Sequence, residues 1–277
     1  MNRKRNLLIG SSLLALIIAC GVGQSAVEDA VEDSAAMGDG PMVPMFEVDP
    51  LWPKNLPDHW LMGPTIGVDV DSTDTIWLVH RNTPDQFVAR TEIGLVQDPP
   101  LAECCQPGPP VLAFDQEGNL VYSWGGPGTE TGDYSWPASN HGITIDHMDN
   151  VWIGGNGGPD SHILKFSRAG EFLMQVGRKG ARMADGGRAR RNSLDPENFG
   201  RVAKVFVDPQ ENEVYLADGY FNRRVVVVDA DTGEFKRFWG AYGNEPDDSA
   251  SIGRYTPGGT PASQFRGPVH CADMSND

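Results

Sequence analysis

Two of the six histidines in the 277-residue chain stand where an imidazole would suit a metal ion. His141 and His270 each open the first strand of a repeat unit. The positions that match His141 in two other units are Ile66 and Ala203, which are apolar. If those first strands line one axis, the two imidazoles face it from alternate units. A third imidazole from a further unit would complete a set of three nitrogen donors. Zinc takes such donors at about 2.0–2.1 Å and keeps a fourth position for water or substrate. The alternative is a pair of polar residues lining a tunnel.

Arg81 ends a second strand, and Tyr220 follows Ala217-Asp218-Gly219 in the corresponding place two units on. A guanidinium there can grip a carboxylate with two parallel hydrogen bonds, or it can serve a salt bridge on the top face. A tyrosine beside a metal or an arginine can act as a base, or it can pack at a junction between sheets. His59 and His147 read as surface residues. His162 opens a strand after a Pro-Asp-Ser turn and fits either packing or a pocket rim.

What must position these residues is a repeat. Residues 140–177 form one complete unit. A short strand ends at Asp146, Val151-Trp152-Ile153 is the next, and a glycine-rich gap follows. Ile163 to Phe166 returns, Ala169-Gly170 turns, and a last strand runs out to Gly177. Four short strands make a small antiparallel sheet that cannot bury both faces alone. Asp71, Asp146 and Asp208 share one repeat position. Trp77 and Trp152 follow six residues later, and Tyr215 seven later. Gly118, Gly170 and Gly233 precede the last strand, and Gly125, Gly177 and Gly240 close it. Recurrence of the same aromatic and glycine positions predicts an all-β fold, a β-propeller and not a sandwich. The domain spans 46–277, with blades at about 65–125, 140–177 and 202–240 and a fourth begun at 265–277. Three blades and one strand do not close a ring, and an open arc exposes an edge. The sequence is therefore expected to be the front of a longer protein and to fold poorly alone. The basic loop from Arg178 to Phe199, with Arg182, Arg188, Arg190 and Arg191, reads as a solvated insertion in preference to a recognition lid.

Ahead of the domain, Arg3, Lys4 and Arg5 precede an apolar run from Leu7 to Ile18. Residues 1–20 are expected to be an export signal, too short to be a good membrane span. Ile17-Ile18-Ala19-Cys20-Gly21 resembles the lipobox of bacterial lipoproteins, with Cys20 as the lipidated residue. Gly21 points to the outer membrane, facing the periplasm. Residues 21–45 are acidic and poor in large apolar side chains, which reads as a flexible tether. With 22 Lys and Arg against 38 Asp and Glu, the net charge is -16. That excludes a nucleic-acid binder and a surface hugging anionic lipid. Membrane contact is expected only through the lipid anchor, and the complete protein is expected to be a monomer.

The segments GVDVDSTDTIWLVHR (67–81), HGITIDHMDNVWIG (141–154), VFVDPQENEVYLADGYFNRR (205–224) and PVHCADMSND (268–277) resemble the NHL-repeat propellers. More narrowly, they resemble the lyase domain of peptidylglycine alpha-amidating enzymes. The resemblance implies a six-bladed propeller that cleaves a peptidyl alpha-hydroxyglycine into a peptide amide and glyoxylate. It implies zinc held by His141, His270 and a third histidine. It also implies Arg81 positioning substrate, Tyr220 as catalytic base, and calcium bound by the backbone carbonyls of Val68 and Ile143. Asn140 stands where that family usually has proline, and Phe221 where it has a disulfide cysteine.

Cys104, Cys105 and Cys271 leave an odd number after Cys20. The adjacent pair reads as a vicinal disulfide or a redox site, with partial disulfide formation expected. Three functions fit the sequence. One is a zinc-dependent amidating-lyase-like enzyme acting on a small peptide or other small molecule. Another is a non-catalytic propeller binding an envelope protein or glycan. The third is a different metal-dependent hydrolase or lyase using the same channel.

Overall fold

The computed structural model describes residues 44–83, 85, 90–184 and 187–275. The expected signal, Cys20 and nearly all of the tether lie outside the described residues. The chain divides after Pro50 into two units. Of the first, residues 44–50 are exposed and form no strand.

The second unit is built from strands. β1 (Trp60–Leu61), β2 (Thr65–Val70), β3 (Ile76–His80), β4 (Gln106–Pro107), β5 (Val111–Phe114) and β6 (Leu120–Trp124) come first. Then follow β7 (Asn140–Ile145), β8 (Val151–Gly155), β9 (His162–Phe166) and β10 (Phe172–Gly177). The last are β11 (Val205–Asp208), β12 (Glu213–Asp218), β13 (Arg224–Asp229) and β14 (Phe235–Trp239). They form three four-stranded antiparallel sheets, β2-β3-β5-β6, β7-β8-β9-β10 and β11-β12-β13-β14. The parallel pair β1–β4, two residues long, is an addition that the repeat did not predict.

First strands of neighbouring sheets are joined directly. Asp69 Oδ2 accepts the Ile145 N–H at 2.8 Å, and Thr144 Oγ1 donates to the Val205 carbonyl at 2.5 Å. This sets β2, β7 and β11 side by side as inner strands, and the sheets are three blades of a β-propeller. No helix among the described residues is long and apolar enough to cross a membrane.

The repeated residues now have physical reasons. Asp71 Oδ2 accepts the indole N–H of Trp77 at 2.8 Å, while Oδ1 accepts the N–H groups of Thr73 and Thr75. Asp146 does the same for Trp152, Met148 and Asn150. One carboxylate thus closes the turn after the inner strand and satisfies a fully buried indole in the next. In the third blade Asp208 accepts from Gln210 N–H, and Tyr215 bonds Glu213 and Arg237 instead. The turn glycines Gly118, Gly170 and Gly233 have φ of +81°, +83° and +72°, a region closed to most side chains.

The core lies between blades. Trp77, Val79 and Val111 meet Ile143, Ile153, Leu164 and Phe166 at the first junction. Trp152 and Ile163 meet Val205, Val214, Leu216 and Val226 at the second. Each fully buried aliphatic or Phe side chain contributes about 1.5–3 kcal/mol. The outer face of the first blade is covered by Trp52, Leu56 and Met62, from the segment that precedes β2. That of the third blade takes Val269, Phe265 and Ala272. The expected first strand of a fourth blade is not a strand among the described residues, although Val269 is buried against the third.

The basic loop is solvated only in part. Arg182 is buried, pairs with Asp195 at 2.7 Å and donates to the Asn192 and Asn198 carbonyls. Fully buried Arg224 reaches from β13 to the carbonyls of Ser193, Asp195 and Asn198. Arg188 and Arg190 remain exposed. Cys104 and Cys105 form a vicinal disulfide, and Cys271 is free and exposed.

Candidate functional site

His141 is aimed by a defect in its own strand. The β7–β8 register shifts between His141 and Ile143, and Gly142 in the shift has φ +73°. A bulge of this kind redirects the neighbouring side chain. A Cβ on Gly142 would lie 2.6 Å from the Ala203 carbonyl oxygen, so the inner strands can approach only because it is glycine. That same carbonyl accepts from His141 Nδ1 at 2.8 Å. Ala203 occupies the position in the third blade that His141 occupies in the second.

The proton positions follow from these partners. A carbonyl can only accept, so His141 Nδ1 carries the hydrogen and Nε2 keeps its lone pair. Tyr220 Oη lies 2.9 Å from that Nε2 and donates to it. Oη lies within hydrogen-bond distance of His270 Nε2 as well, at 3.0 Å. Cys271 Sγ lies 3.7 Å from His270 Nδ1. The structure therefore brings together His141, His270 and Tyr220, three residues drawn from separate parts of the sequence. The imidazoles stand edge to face with centroids 5.2 Å apart.

Burial pushes His141 below the ordinary histidine range. The Ala203 hydrogen bond opposes this, and the charges of His270 and Arg81 push it further down. The neutral imidazole is favoured, which is the form that ligates a metal. A fixed Nδ1–H on a backbone carbonyl is also how a ligating histidine is usually oriented. The donors therefore fit zinc as far as they go. Among the described residues no third His, Cys, Asp or Glu joins them.

Tyr220 is held by the turn that carries it. Fully buried Asp218 accepts from Gly200 N–H, Asn222 Nδ2–H and Arg224 Nε–H. Gly219 has no room for a side chain, because a Cβ would strike the Val269 backbone. His270 follows directly, so the same close approach delivers both the tyrosine and the second histidine. Phe221 lies under the guanidinium groups of Arg201 and Arg191, at 5.1 and 5.7 Å from its ring centre. Tyr220 itself is 37% exposed, open enough to meet a ligand.

Arg81 donates to Asn156 Oδ1 at 3.2 Å, so its side-chain partner is a neutral amide rather than the carboxylate of a salt bridge. Val68 and Ile143 lie on adjacent inner strands. A Cβ on Gly67 would lie 2.9 Å from Ile143 N, which shows how closely these backbones run. His162 is a packing residue, buried, with Nε2 bonded to the Ser135 carbonyl at 2.7 Å. His59 and His147 are exposed, as read.

Sequence reasoning missed three positioning residues. His80, fully buried, binds the Pro109 carbonyl through Nε2 and accepts from Gly63 N–H, which fixes the strand end before Arg81. Asn140 bridges two blades, taking the Trp136 indole N–H at 2.7 Å and giving Nδ2–H to the His80 carbonyl at 2.8 Å. Asn156 is the third. Its signal was the run Gly154-Gly155-Asn156-Gly157-Gly158, which reads as a gap but holds one polar side chain, the acceptor of the Arg81 hydrogen bond.

No protein-family model and no curated protein matches the sequence. Among solved structures, the chain is similar to virginiamycin B lyase from Staphylococcus aureus at 12% identity and TM-score 0.36, over 66% of this chain and 43% of that one. It is similar to a protein of unknown function from Bacteroides thetaiotaomicron at 12% identity and TM-score 0.37, over 63% and 35%. A eukaryotic initiation factor gives 11% identity and TM-score 0.37, over 65% and 33%. The chain spans less than half the length of each of these proteins.

Proposed function

We propose that this propeller carries a zinc-dependent lyase site that cleaves a peptidyl alpha-hydroxyglycine into a peptide amide and glyoxylate. The observation that carries the reading is the convergence of His141 Nε2 and His270 Nε2 on Tyr220 Oη. His141 and His270 would hold the zinc through Nε2, and the reading requires a third donor besides these two. Zinc, when bound, supplies Lewis-acid polarisation of a substrate oxygen. Arg81 binds the glycine carboxylate. Tyr220 Oη, once it has given up its own proton, takes the proton of the alpha-hydroxyl. As that O–H pair closes to a carbonyl, the C–N bond breaks and its electrons leave with nitrogen. Nitrogen then receives the proton from Tyr220, giving amide and glyoxylate. The backbone carbonyls of Val68 and Ile143 would be calcium ligands, and Cys20 would anchor the protein by lipid in the bacterial envelope.

The test is metal analysis of the full protein beside His141→Ala, with glyoxylate release from a hydroxyglycine peptide. Zinc is expected in the wild type and lost in the variant, with glyoxylate formed in step with amide. A wild type without zinc would sink the reading. Zinc without glyoxylate would leave a different metal-dependent lyase or hydrolase.

A further inference from the structure

The end of β8 and the loop to β9 place Asn156 among four glycines, Gly154, Gly155, Gly157 and Gly158, and buried Asp160 gathers the loop. Asp160 Oδ1 accepts the Ala138 N–H at 2.8 Å, and Oδ2 accepts those of Ser139 at 3.1 Å and Gly157 at 2.7 Å. A Cβ on Gly155 or Gly157 would lie 2.7 or 2.8 Å from the same oxygen, so only glycine lets the loop wind this tightly. Asn156 N–H donates to the Ser139 carbonyl at 2.9 Å. The Asn156 backbone is thus fixed on both sides. Its Oδ1 then meets the Arg81 guanidinium across the blade junction, at 3.2 Å.

The Arg81 backbone is held as well, its N–H on the Pro64 carbonyl at 3.1 Å. Arg81 Nε is buried and has no hydrogen-bond partner among the described residues. With a neutral amide as its side-chain partner, the guanidinium keeps an uncompensated charge.

We propose that Asn156 is a positioning residue, which fixes the Arg81 guanidinium through one Nη with a neutral acceptor and so leaves its charge for a substrate carboxylate. The amide must be neutral because a carboxylate at that place would take the guanidinium for itself. This rests on the reading that the site binds a carboxylate substrate, and it adds the residue that sets the arginine.

The experiment is calorimetric titration of the zinc-loaded full protein with glyoxylate, comparing wild type, Asn156→Ala and Asn156→Asp, with thermal midpoints and zinc content measured alongside. Loss of the acceptor in Asn156→Ala is expected to weaken glyoxylate about 10-fold, as for a hydrogen bond to a charged group. Asn156→Asp, which keeps the shape and adds an ion pair, is expected to weaken it about 100-fold. Its thermal midpoint should nevertheless equal or exceed that of Asn156→Ala, with zinc unchanged in both. A structural role alone would make affinity follow stability, so glyoxylate binding to Asn156→Asp at least as tight as to Asn156→Ala overturns the proposal. If wild type binds and both variants bind equally, only the role of Asn156 falls. A wild type that does not bind glyoxylate removes the carboxylate site and the lyase reading together.

Discussion

Gly142→Ala tests whether the inner-strand bulge is what arms His141. The substitution has two costs, which can be separated. The first is conformational. At φ +73° an alanine sits in the left-handed region, which costs about 1–2 kcal/mol. The second is steric. The new Cβ would lie 2.6 Å from the Ala203 oxygen, against the 3.4 Å at which ordinary contact begins. Relief requires a movement of about 0.4–0.8 Å, enough to carry the His141–Ala203 bond from 2.8 Å to the limit of hydrogen bonding. His141 then loses the carbonyl that fixes its tautomer. Loss of such a partner typically lowers metal affinity 10–100-fold, or about 1.4–2.7 kcal/mol.

Gly132→Ala supplies the control. Gly132 has φ +100° and nothing within 4 Å of a Cβ, so it carries the conformational cost without the collision. Zinc affinity is measured by competition with a chromophoric chelator, and stability by urea unfolding. Nitrogen chemical shifts of the metal-free protein report the His141 tautomer. Both variants are expected to lose the conformational 1–2 kcal/mol of stability, about that much for Gly132→Ala and more for Gly142→Ala, but only Gly142→Ala should lose zinc affinity and the Nδ1–H tautomer. If Gly142→Ala binds zinc like the wild type, the Ala203 carbonyl does not orient His141 and the argument from the bulge fails.

Two further outcomes follow from the same structure. Burial alone would raise the Asp71 carboxyl, but hydrogen bonds from Trp77, Thr73 and Thr75 outweigh it and hold the group at about 2 instead of 3.8. A depressed carboxylate stabilises the fold above its unfolded pKa, here by roughly 2–3 kcal/mol, and the contribution is lost as pH falls through the folded value. The urea midpoint of Asp71→Asn should therefore trail wild type at pH 7, with the gap closing between about pH 4 and 2; a constant gap would show that the charge is not what matters. For the N-terminal expectation, Cys20→Ala in a bacterial host with two membranes should shift the protein from the membrane to the soluble periplasmic fraction, and unchanged fractionation would exclude a lipid anchor at that residue.

How far the site could be read from sequence depended on whether a contact follows the repeat. The Asp71–Trp77 and Asp146–Trp152 bonds span six residues inside one blade, so the period displays them. His141 and His270 stood out because they break that period at a position facing the axis, and Tyr220 because its turn is dictated by Asp218 and Gly219. The Arg81–Asn156 bond joins residues 75 apart in neighbouring blades, and Asn140 reaches His80 across 60. Nothing local marks either pair. Glycine was the remaining clue, and it was ambiguous: Gly118 and Gly170 serve turns, whereas Gly67, Gly142 and Gly219 are required where two backbones nearly touch. A sequence shows the first kind by its flanking turn residues, while the second depends on a neighbour that the chain reaches only after another blade. The site sits at those close approaches, because a propeller narrows toward its axis and only there can side chains from different blades share one oxygen.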